Sequence, residues 1–416
     1  MISVIGLGLG DIQTLSTEAI QAIKQADVII ASNRQIEFVA DLVSKQTEHC
    51  QYPSPIENLQ SLIEYYGDKN IAILASGDPL FFGIGAWLSR HIPLEKLHFY
   101  SNISSIQAAF ARIKQPWQQA KIISLHGRPL ISLRPQLRNH QWYAILTDAN
   151  SHPKAIAKEL HLHCFEQSKI WVCEALGTAS EKTQAFSLDE LLACSHDFHP
   201  LHITIVYTDG KGGILPEFPG IADSLFETGS LAGKGMITKK NIRLAALTML
   251  QTQANDICWD LGAGCGGLAV EWAYWHLQSQ IYAVEDHKER LNYLHINREK
   301  FGVVNNLHII EATVPHSALS DLPRPDKIFI GGSRAFLAET LQQCWQHYLK
   351  PNGCIVIPCV TETTRYEVMK FIEEKQLNQQ VDKIQISLSQ TETLANKEIL
   401  RPQLPVQLIK ISKDKS

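Results

Sequence analysis

The sequence has no long hydrophobic run and no C-x-x-C pair, and these absences exclude several classes of protein. Its longest apolar stretches fall well short of the roughly 20 residues that span a membrane. The nine cysteines lack the spacing of a zinc site, which predicts no metal. An odd number of scattered thiols is typical of a reducing compartment, where cysteine acts as a small buried apolar residue. We expect a cytoplasmic protein without a membrane partner.

A strong excess of one charge is also absent. The formal net charge is −4 at pH 7, and no long basic run occurs. Nucleic-acid-binding surfaces concentrate Lys and Arg, so we expect no nucleic-acid partner. The first residues, 1–6, have the pattern of a strand rather than that of a secretory signal.

What the chain does contain is a regular alternation of strand-like and helical patterns over 416 residues. This alternation predicts an α/β protein with mostly parallel sheets. Strands are predicted in the first half at about 2–6, 27–31, 71–75, 97–100, 121–124, 143–147, 169–173 and 202–208. In the second half they are predicted at about 256–261, 280–285, 307–311, 326–330, 353–359, 383–389 and 405–411. These last seven fit a doubly wound sheet closed by an antiparallel hairpin.

Glycine and proline are concentrated in residues 209–235, which makes this segment the best linker candidate. We therefore predict a first domain over 1–210, a linker over 211–235 and a second domain over 236–416. The first domain is expected to have two lobes, at about 1–115 and 116–210.

Residues 256–285 read as a strand, a glycine-rich turn, a helix and a second strand that ends in an acid. The turn is Gly262-Ala263-Gly264-Cys265-Gly266-Gly267, and the acid is Glu285. Glycines let the backbone turn sharply and approach a ligand, and the acid can accept both hydroxyls of a ribose. This order predicts a nucleoside site.

The spacing of the turn favours S-adenosylmethionine over a dinucleotide. A dinucleotide site needs a third glycine for the pyrophosphate, and Leu268 stands at that position. A nicotinamide-dependent oxidoreductase that uses either glycine-rich turn of the chain is the alternative. The helix after the first such turn starts late, near Ser16 or Thr17, which disfavours a phosphate site there.

Five short motifs follow predicted strands of the first half, where ligand sites of open sheets collect. They are Gly6-Leu7-Gly8-Leu9-Gly10, Ser76-Gly77-Asp78-Pro79-Leu80-Phe81, Ser101-Asn102-Ile103-Ser104-Ser105, Ser124-Leu125-His126-Gly127-Arg128 and Leu146-Thr147-Asp148. In this order they resemble the tetrapyrrole methylases of cobalamin synthesis, above all the family that acts on precorrin-6Y. The second half, from 235–240 to 329–333, is similar to the decarboxylating partner domain of that family.

The resemblance covers essentially the whole chain and implies both a fold and an activity. The implied fold is an N-terminal two-lobed tetrapyrrole methylase followed by a C-terminal Rossmann-like class I methyltransferase sheet. The implied enzyme uses S-adenosylmethionine to methylate C5 and C15 of precorrin-6Y and removes the ring C acetate carboxyl, which gives precorrin-8X. A homo-oligomer is also implied, because tetrapyrrole methylases are often dimers.

The resemblance also implies which residues contact the cofactor. In the first half they are Gly8, Gly10, Gly77, Asp78, Phe81, Ser104, Ser105 and Thr147. In the second half they are Thr238, Gly262, Ala263, Gly264, Cys265, Gly266, Glu285 and Val314.

Substrate contacts are expected from cations beside the motif loops, because a tetrapyrrole carries many carboxylates. Arginine binds a carboxylate with two parallel hydrogen bonds, so Arg128 and Arg334 are candidates, with Lys234, Lys239 and Arg243. His126 is a candidate for substrate hydrogen bonding or proton transfer near neutral pH. We predict His126, Arg128 and Arg334 as the catalytic residues.

The turn Glu311-Ala312-Thr313-Val314-Pro315 departs from the family pattern. Two later loops also depart from it and read Gly331-Gly332-Ser333-Arg334-Ala335 and Pro358-Cys359-Val360-Thr361-Glu362. These departures favour a second alternative, a tetrapyrrole-binding protein with only one active methyltransferase site.

Overall fold

The computed structural model describes the chain except residues 149, 212–214, 231–234, 316, 333–335, 395–396 and 415–416. The chain forms two units. Unit 1 comprises Met1–Arg128 and Asn139–Lys211, and unit 2 comprises Pro129–Arg138 and Gly212–Ser416. Within the described ranges, no helix has both the length and the apolar character that a membrane crossing requires.

The first sheet of unit 1 is entirely parallel, in the order β3-β2-β4-β1-β5. Its strands are β1 (Ile2–Gly6), β2 (Val28–Ile30), β3 (Glu48–Cys50), β4 (Ile71–Ala75) and β5 (Leu97–Tyr100). Its helices are α1 (Thr17–Lys24), α2 (Asn33–Val39), α3 (Asn58–Tyr66), α4 (Gly85–His91) and α5 (Ser105–Ile113). Every residue of β4 is buried, as expected for a central parallel strand covered on both faces.

The second sheet of unit 1 is mixed, in the order β6-β7-β10-β8-β9. Its strands are β6 (Lys121–Ser124), β7 (Trp142–Leu146), β8 (Lys169–Glu174), β9 (Lys182–Ser187) and β10 (His202–Tyr207), with helices α6 (Pro153–Leu162) and α7 (Leu188–Ala193). Only β6 and β7 pair in parallel. The hairpin of β8 and β9 reverses the chain, so β10 enters antiparallel to both β7 and β8.

Unit 2 contains a seven-stranded sheet in the order β13-β12-β11-β14-β15-β19-β16. Its strands are β11 (Ile257–Leu261), β12 (Gln280–Glu285), β13 (Leu307–Glu311), β14 (Lys327–Ile330), β15 (Cys354–Cys359), β16 (Val381–Ile386) and β19 (Val406–Ser412). Strands β17 (Ser389–Leu394) and β18 (Lys397–Pro402) form a separate hairpin, and the helices are α8 (Lys240–Leu250), α9 (Gly267–Trp275), α10 (Lys288–Lys300), α11 (Leu337–Gln343) and α12 (Glu362–Glu374).

The strand order of unit 2 reverses between β11 and β14, which places a ligand crevice at the carboxyl ends of these strands. The five strands from β13 to β15 are parallel, whereas β19 runs antiparallel to β15 and β16. This arrangement confirms the predicted doubly wound sheet with an antiparallel closure.

Residues 129–138 are packed into unit 2. The Arg134 Nη1 donates to the Glu299 carbonyl oxygen over 2.8 Å, in the last turn of α10, where a cation is favoured by the helix dipole. The Arg138 guanidinium lies 5.4 Å and 5.2 Å from the ring centres of Tyr274 and Trp275. This short segment is therefore an integral part of unit 2.

Candidate active sites

The glycine loops of unit 1 are joined directly to each other. The Gly8 N–H donates to the Gly77 carbonyl over 3.2 Å, and the Gly77 N–H donates to the Gly8 carbonyl over 3.0 Å. Both residues have positive φ, at 60° and 65°. A Cβ on Gly6 would lie 2.5 Å from the Gly77 oxygen, so this close approach requires glycine.

Asp78 and Asn102 connect these loops to the end of β5. The Asp78 carboxylate accepts from the backbone N–H of Leu80 at 2.9 Å and of Asn102 at 3.3 Å. The Asn102 side-chain amide donates to the Gly6 carbonyl over 3.1 Å. The sequence indicated Asn102 only as part of the motif at 101–105, because its partners are distant along the chain. Ser104 is the N-cap residue of α5, and its side-chain oxygen accepts from the Gln107 N–H over 3.3 Å.

These loops border a cavity of about 730 Å³, here called the N-terminal cavity. Seven of the eight predicted contacts line it, namely Gly8, Gly10, Gly77, Asp78, Phe81, Ser104 and Ser105. Residues that the sequence did not indicate also line it, among them Ser32, Arg34, Gln35, Phe38, Leu176, Thr178 and His202. They come from α2 and from the strand ends of the second sheet, which only the fold brings together.

The eighth predicted residue, Thr147, follows the lining residue Leu146 and contacts the cavity wall through His202. The His202 Nδ1 lies 2.7 Å from the His199 carbonyl oxygen, which can only accept, so Nδ1 carries the proton. The His202 Nε2 then accepts from the Thr147 hydroxyl over 2.8 Å. Burial lowers the pKa of His202, which favours the neutral ring at physiological pH.

The other polar motif of the second sheet lies outside the lining of the N-terminal cavity. His126 and Arg128 are both exposed. The Arg128 Nη1 donates to the Ser124 carbonyl over 3.1 Å, and the Gly127 N–H donates to the Asp148 carboxylate over 3.0 Å. Hydrogen bonds from Ser151, Gly127 and Asn150 hold the pKa of Asp148 well below its usual range. These contacts stabilise the loop itself.

A second cavity, of about 560 Å³, lies at the glycine turn of unit 2 and is called the C-terminal cavity. Six of the eight predicted contacts line it, namely Thr238, Gly262, Ala263, Gly264, Glu285 and Val314. The other two, Cys265 and Gly266, do not appear in its lining. Cys265 is buried and its N–H donates to the Met236 carbonyl over 3.1 Å. Gly266 has φ 86° and is the N-cap residue of α9. These two residues stabilise the conformation of the turn without lining the cavity.

Glu285 is 5% exposed, and its carboxylate is held in one orientation. It accepts from the backbone N–H of Gly264 at 2.8 Å, of Asp286 at 3.1 Å and of His287 at 3.0 Å. The Arg290 Nη1 lies 3.8 Å away. A fixed, buried acceptor beside a glycine turn fits the paired hydroxyls of a ribose.

A second acid, Asp260, lies in the strand before the turn and is almost fully buried. Burial, with a smaller contribution from the charge of Glu285, raises the pKa of Asp260 to about 7. Its Oδ2 has no hydrogen-bond partner among the described atoms. Near neutral pH this carboxyl group therefore carries a proton for much of the time.

The loops after β14 and β15 complete the C-terminal cavity. Gly331, Gly332, Pro358 and Val360 line it, so both loops that depart from the family pattern contribute to its wall. A Cβ on Gly262, which has φ 73°, would lie 2.0 Å from the Gly332 carbonyl oxygen. Arg334, one of the predicted catalytic residues, lies outside the described residues, as does Lys234.

The interpretation of Arg243 as a substrate ligand is wrong. Its side chain is 0% exposed and pairs with Glu271 and Asp223. The Arg243 Nη1 also donates to the Thr238 carbonyl over 2.7 Å. Arg243 therefore positions Thr238, a lining residue of the C-terminal cavity, and does not contact a ligand itself. A buried cation of this kind is stabilised only by such a full set of partners.

Comparison with known proteins gives two family matches, one in each half of the chain. Residues 1–192 match the family model of the tetrapyrrole (corrin/porphyrin) methylases, and residues 230–413 match that of the precorrin methyltransferase domain. A precorrin-6Y C(5,15)-methyltransferase (decarboxylating) from Sinorhizobium sp is 32% identical over 363 residues, which is 86% of this chain and 84% of the relative. The chain belongs to the precorrin-6Y C(5,15)-methyltransferase (decarboxylating) family.

Other known proteins match one part of this chain only. A cobalt-precorrin-7 C(5)-methyltransferase from Salmonella typhimurium is 34% identical over 160 residues, which is 38% of this chain and 77% of the relative. A solved structure, precorrin-6Y C5,15-methyltransferase from Geobacter metallireducens, is 31% identical and covers 47% of this chain and 98% of its own, with a TM-score of 0.43. Family membership confirms the resemblance found in the sequence and disfavours the oxidoreductase alternative.

Proposed function

We propose that this protein is a bifunctional S-adenosylmethionine-dependent methyltransferase of corrin ring synthesis. It methylates C5 and C15 of precorrin-6Y and decarboxylates the ring C acetate, which gives precorrin-8X. The observation that carries the proposal is that each unit has its own glycine-walled cavity at the carboxyl ends of its strands. The name of the Sinorhizobium relative supports the choice of substrate and positions.

The residues of the C-terminal cavity fit S-adenosylmethionine. Glu285 presents a buried acceptor for the ribose hydroxyls, and Gly262 and Gly264 keep the turn free of side chains. When bound, the cofactor supplies a methyl group on a positively charged sulfur. The N-terminal cavity fits the same donor through its glycine loops, Asp78 and the N-terminal serines of α5.

The chain's own residues act mainly by positioning. Methyl transfer needs donor and acceptor held in line at close approach, and no protein nucleophile is required. Decarboxylation needs a desolvated carboxylate, and the conjugated ring of the substrate can accept the electron pair that remains when carbon dioxide leaves. Val314, Pro358, Val360 and Val406 give the C-terminal cavity an apolar wall that excludes water from such a group.

The remaining assignments are part of this proposal. We propose domains over 1–210 and 236–416 with a linker over 211–235, a cytoplasmic location and a homo-oligomeric state. Residues 129–138 are an exception to this division, because they belong to unit 2. The catalytic roles of His126, Arg128 and Arg334 stay predictions. The exposure of His126 and Arg128 makes them candidates for the rim of a bound substrate rather than for the cavity itself.

Mass spectrometry of precorrin-6Y incubated with the purified full chain and S-adenosylmethionine tests the proposal. The expected product gains two methyl groups and loses one carbon dioxide. An unchanged substrate would overturn the proposal. One added methyl without decarboxylation would instead support the second candidate, a protein with one active site, which the changed loops of the C-terminal cavity favour.

A further inference from the structure

The N-terminal cavity contains few charges for an enzyme whose substrate is a polycarboxylate. Among the described residues that line it, Arg34 is the one with a permanent positive charge, whereas Glu37 and Asp78 bring carboxylates. Burial lowers the pKa of His202, which favours its neutral form, so this side chain adds no permanent positive charge. The cavity therefore offers one strong cationic contact to an anionic ligand.

The start of α2 holds the backbone of Arg34 in place. The Ser32 N–H donates to the Gln35 Oε1 over 2.9 Å, which caps the helix. The Gln35 Nε2 donates in turn to the Ser76 Oγ over 3.2 Å. Ser76 directly precedes Gly77, whose backbone is hydrogen-bonded to that of Gly8. The bond between Gln35 and Ser76 therefore connects α2 to both glycine loops.

Arg34 lies on the face of α2 that lines the N-terminal cavity together with the Gly8–Gly10 loop. Phe38 is one turn further along the same face, because residues four apart are neighbours on a helix. The Phe38 ring reaches within 4.0 Å of the point where a Cβ on Gly10 would lie. Both side chains line the cavity. Arg34 is exposed, and no ion pair or hydrogen bond joins its guanidinium to another described residue.

We propose that Arg34 binds a carboxylate side arm of the tetrapyrrole acceptor in the N-terminal cavity. Its fork of N–H groups matches a carboxylate with two parallel hydrogen bonds. The position beside the Gly8–Gly10 loop lets this contact orient the ring next to the methyl donor. The inference rests on the proposed function and assigns a specificity-determining residue to one of its two sites.

The test compares Arg34→Gln and Arg34→Lys with the wild-type full chain, and with Arg90→Gln as a matched control. Arg90 is exposed on α4, outside the lining of the cavity, and its Nε donates to the Ala86 carbonyl. For Arg34→Gln we expect the KM for C5 methylation to rise about 10- to 100-fold, the range of a charged hydrogen bond. The lysine variant should recover part of this loss.

Two further measurements separate this role from a structural one. Calorimetric titration should give an unchanged Kd for S-adenosylmethionine, and C15 methylation should continue in the same sample. An unchanged KM in Arg34→Gln, or an equal rise in Arg90→Gln, would overturn the assignment of Arg34. If the wild-type chain methylates neither carbon, the proposed function fails instead.

Discussion

At the scale of single residues, Glu285 makes the most specific contribution, because three backbone N–H groups fix its carboxylate before any ligand binds. Glu285→Gln keeps the shape of the side chain and removes the charge. We expect the Kd for S-adenosylmethionine at the C-terminal cavity to rise about 10- to 100-fold, as for a lost charged hydrogen bond. Mass spectrometry should show loss of C15 methylation and decarboxylation while C5 methylation continues.

Glu289→Gln is the matched control for this change, because Glu289 is exposed in the first turn of the following helix α10. It should leave both methylations at the wild-type level. Loss of C5 methylation in Glu285→Gln would contradict the assignment of one independent site to each unit.

Asp260 gives a prediction about pH at the same scale. Its pKa of about 7 in the folded protein exceeds the ordinary value of about 4, so the folded state binds the proton more tightly than the unfolded state does. The stabilisation is therefore complete below about pH 4 and is lost as the pH rises to about 7. Relative to wild type, Asp260→Asn should gain about 2–3 kcal/mol of unfolding free energy between pH 5 and pH 8.

Urea unfolding of both proteins at the two pH values measures this difference. Asp382→Asn is the control, because Asp382 is an exposed acid on β16 and should show no such gain. Parallel pH dependence of wild type and Asp260→Asn would mean that Asp260 is ionised in the folded state.

At the scale of elements, the turn between β11 and α9 depends on the absence of one side chain. In Gly262→Ala the new Cβ would meet the Gly332 carbonyl oxygen, which is backbone and cannot rotate away. We expect a cost above about 2 kcal/mol, since strain at positive φ alone costs about 1–2 kcal/mol. S-adenosylmethionine binding to the C-terminal cavity should be lost with it.

Gly67→Ala provides the comparison for this prediction. Gly67 also has positive φ, 56°, but an added Cβ would meet nothing within 4 Å. It should show the strain alone in thermal unfolding and leave cofactor binding unchanged. Equal effects of the two substitutions would show that the loop after β14 can move aside.

The elements that the sequence predicted well are those with a strong burial pattern. The fully buried strand β4 requires a run of apolar residues, and the turn after β11 requires glycines that can adopt positive φ. Both requirements can be recognised directly in the sequence. The late start of α1 was also confirmed, with Ser16 accepting from the Ala19 N–H.

Elements without such a pattern were missed. β3 and β9 are edge strands with mostly polar residues, and β17 and β18 are exposed on both faces. One strand was predicted over 383–389, where the structure has the end of β16 and the start of β17. Arg34 and His202 could not be found from local sequence, because the packing of distant segments places them at the cavity.

At the scale of the whole molecule, every described lining residue of the N-terminal cavity belongs to unit 1, and every described lining residue of the C-terminal cavity belongs to unit 2. Among the residues that the structure describes, neither cavity takes a lining side chain from the other unit. A defect in one centre should therefore leave the other chemically intact. Asp78→Asn is expected to lower C5 methylation and to leave C15 methylation at the wild-type level, as measured by mass spectrometry.

The separate lining of the two cavities has a consequence for mixtures of variants. The variants Asp78→Asn and Glu285→Gln should complement each other when the two proteins are mixed. Asp78→Asn supplies C15 methylation and decarboxylation, and Glu285→Gln supplies C5 methylation. The mixture should form the doubly methylated, decarboxylated product that neither variant makes alone. Failure to complement, with each variant active in its own step, would mean that the half-finished ring does not pass through solution from one molecule to another.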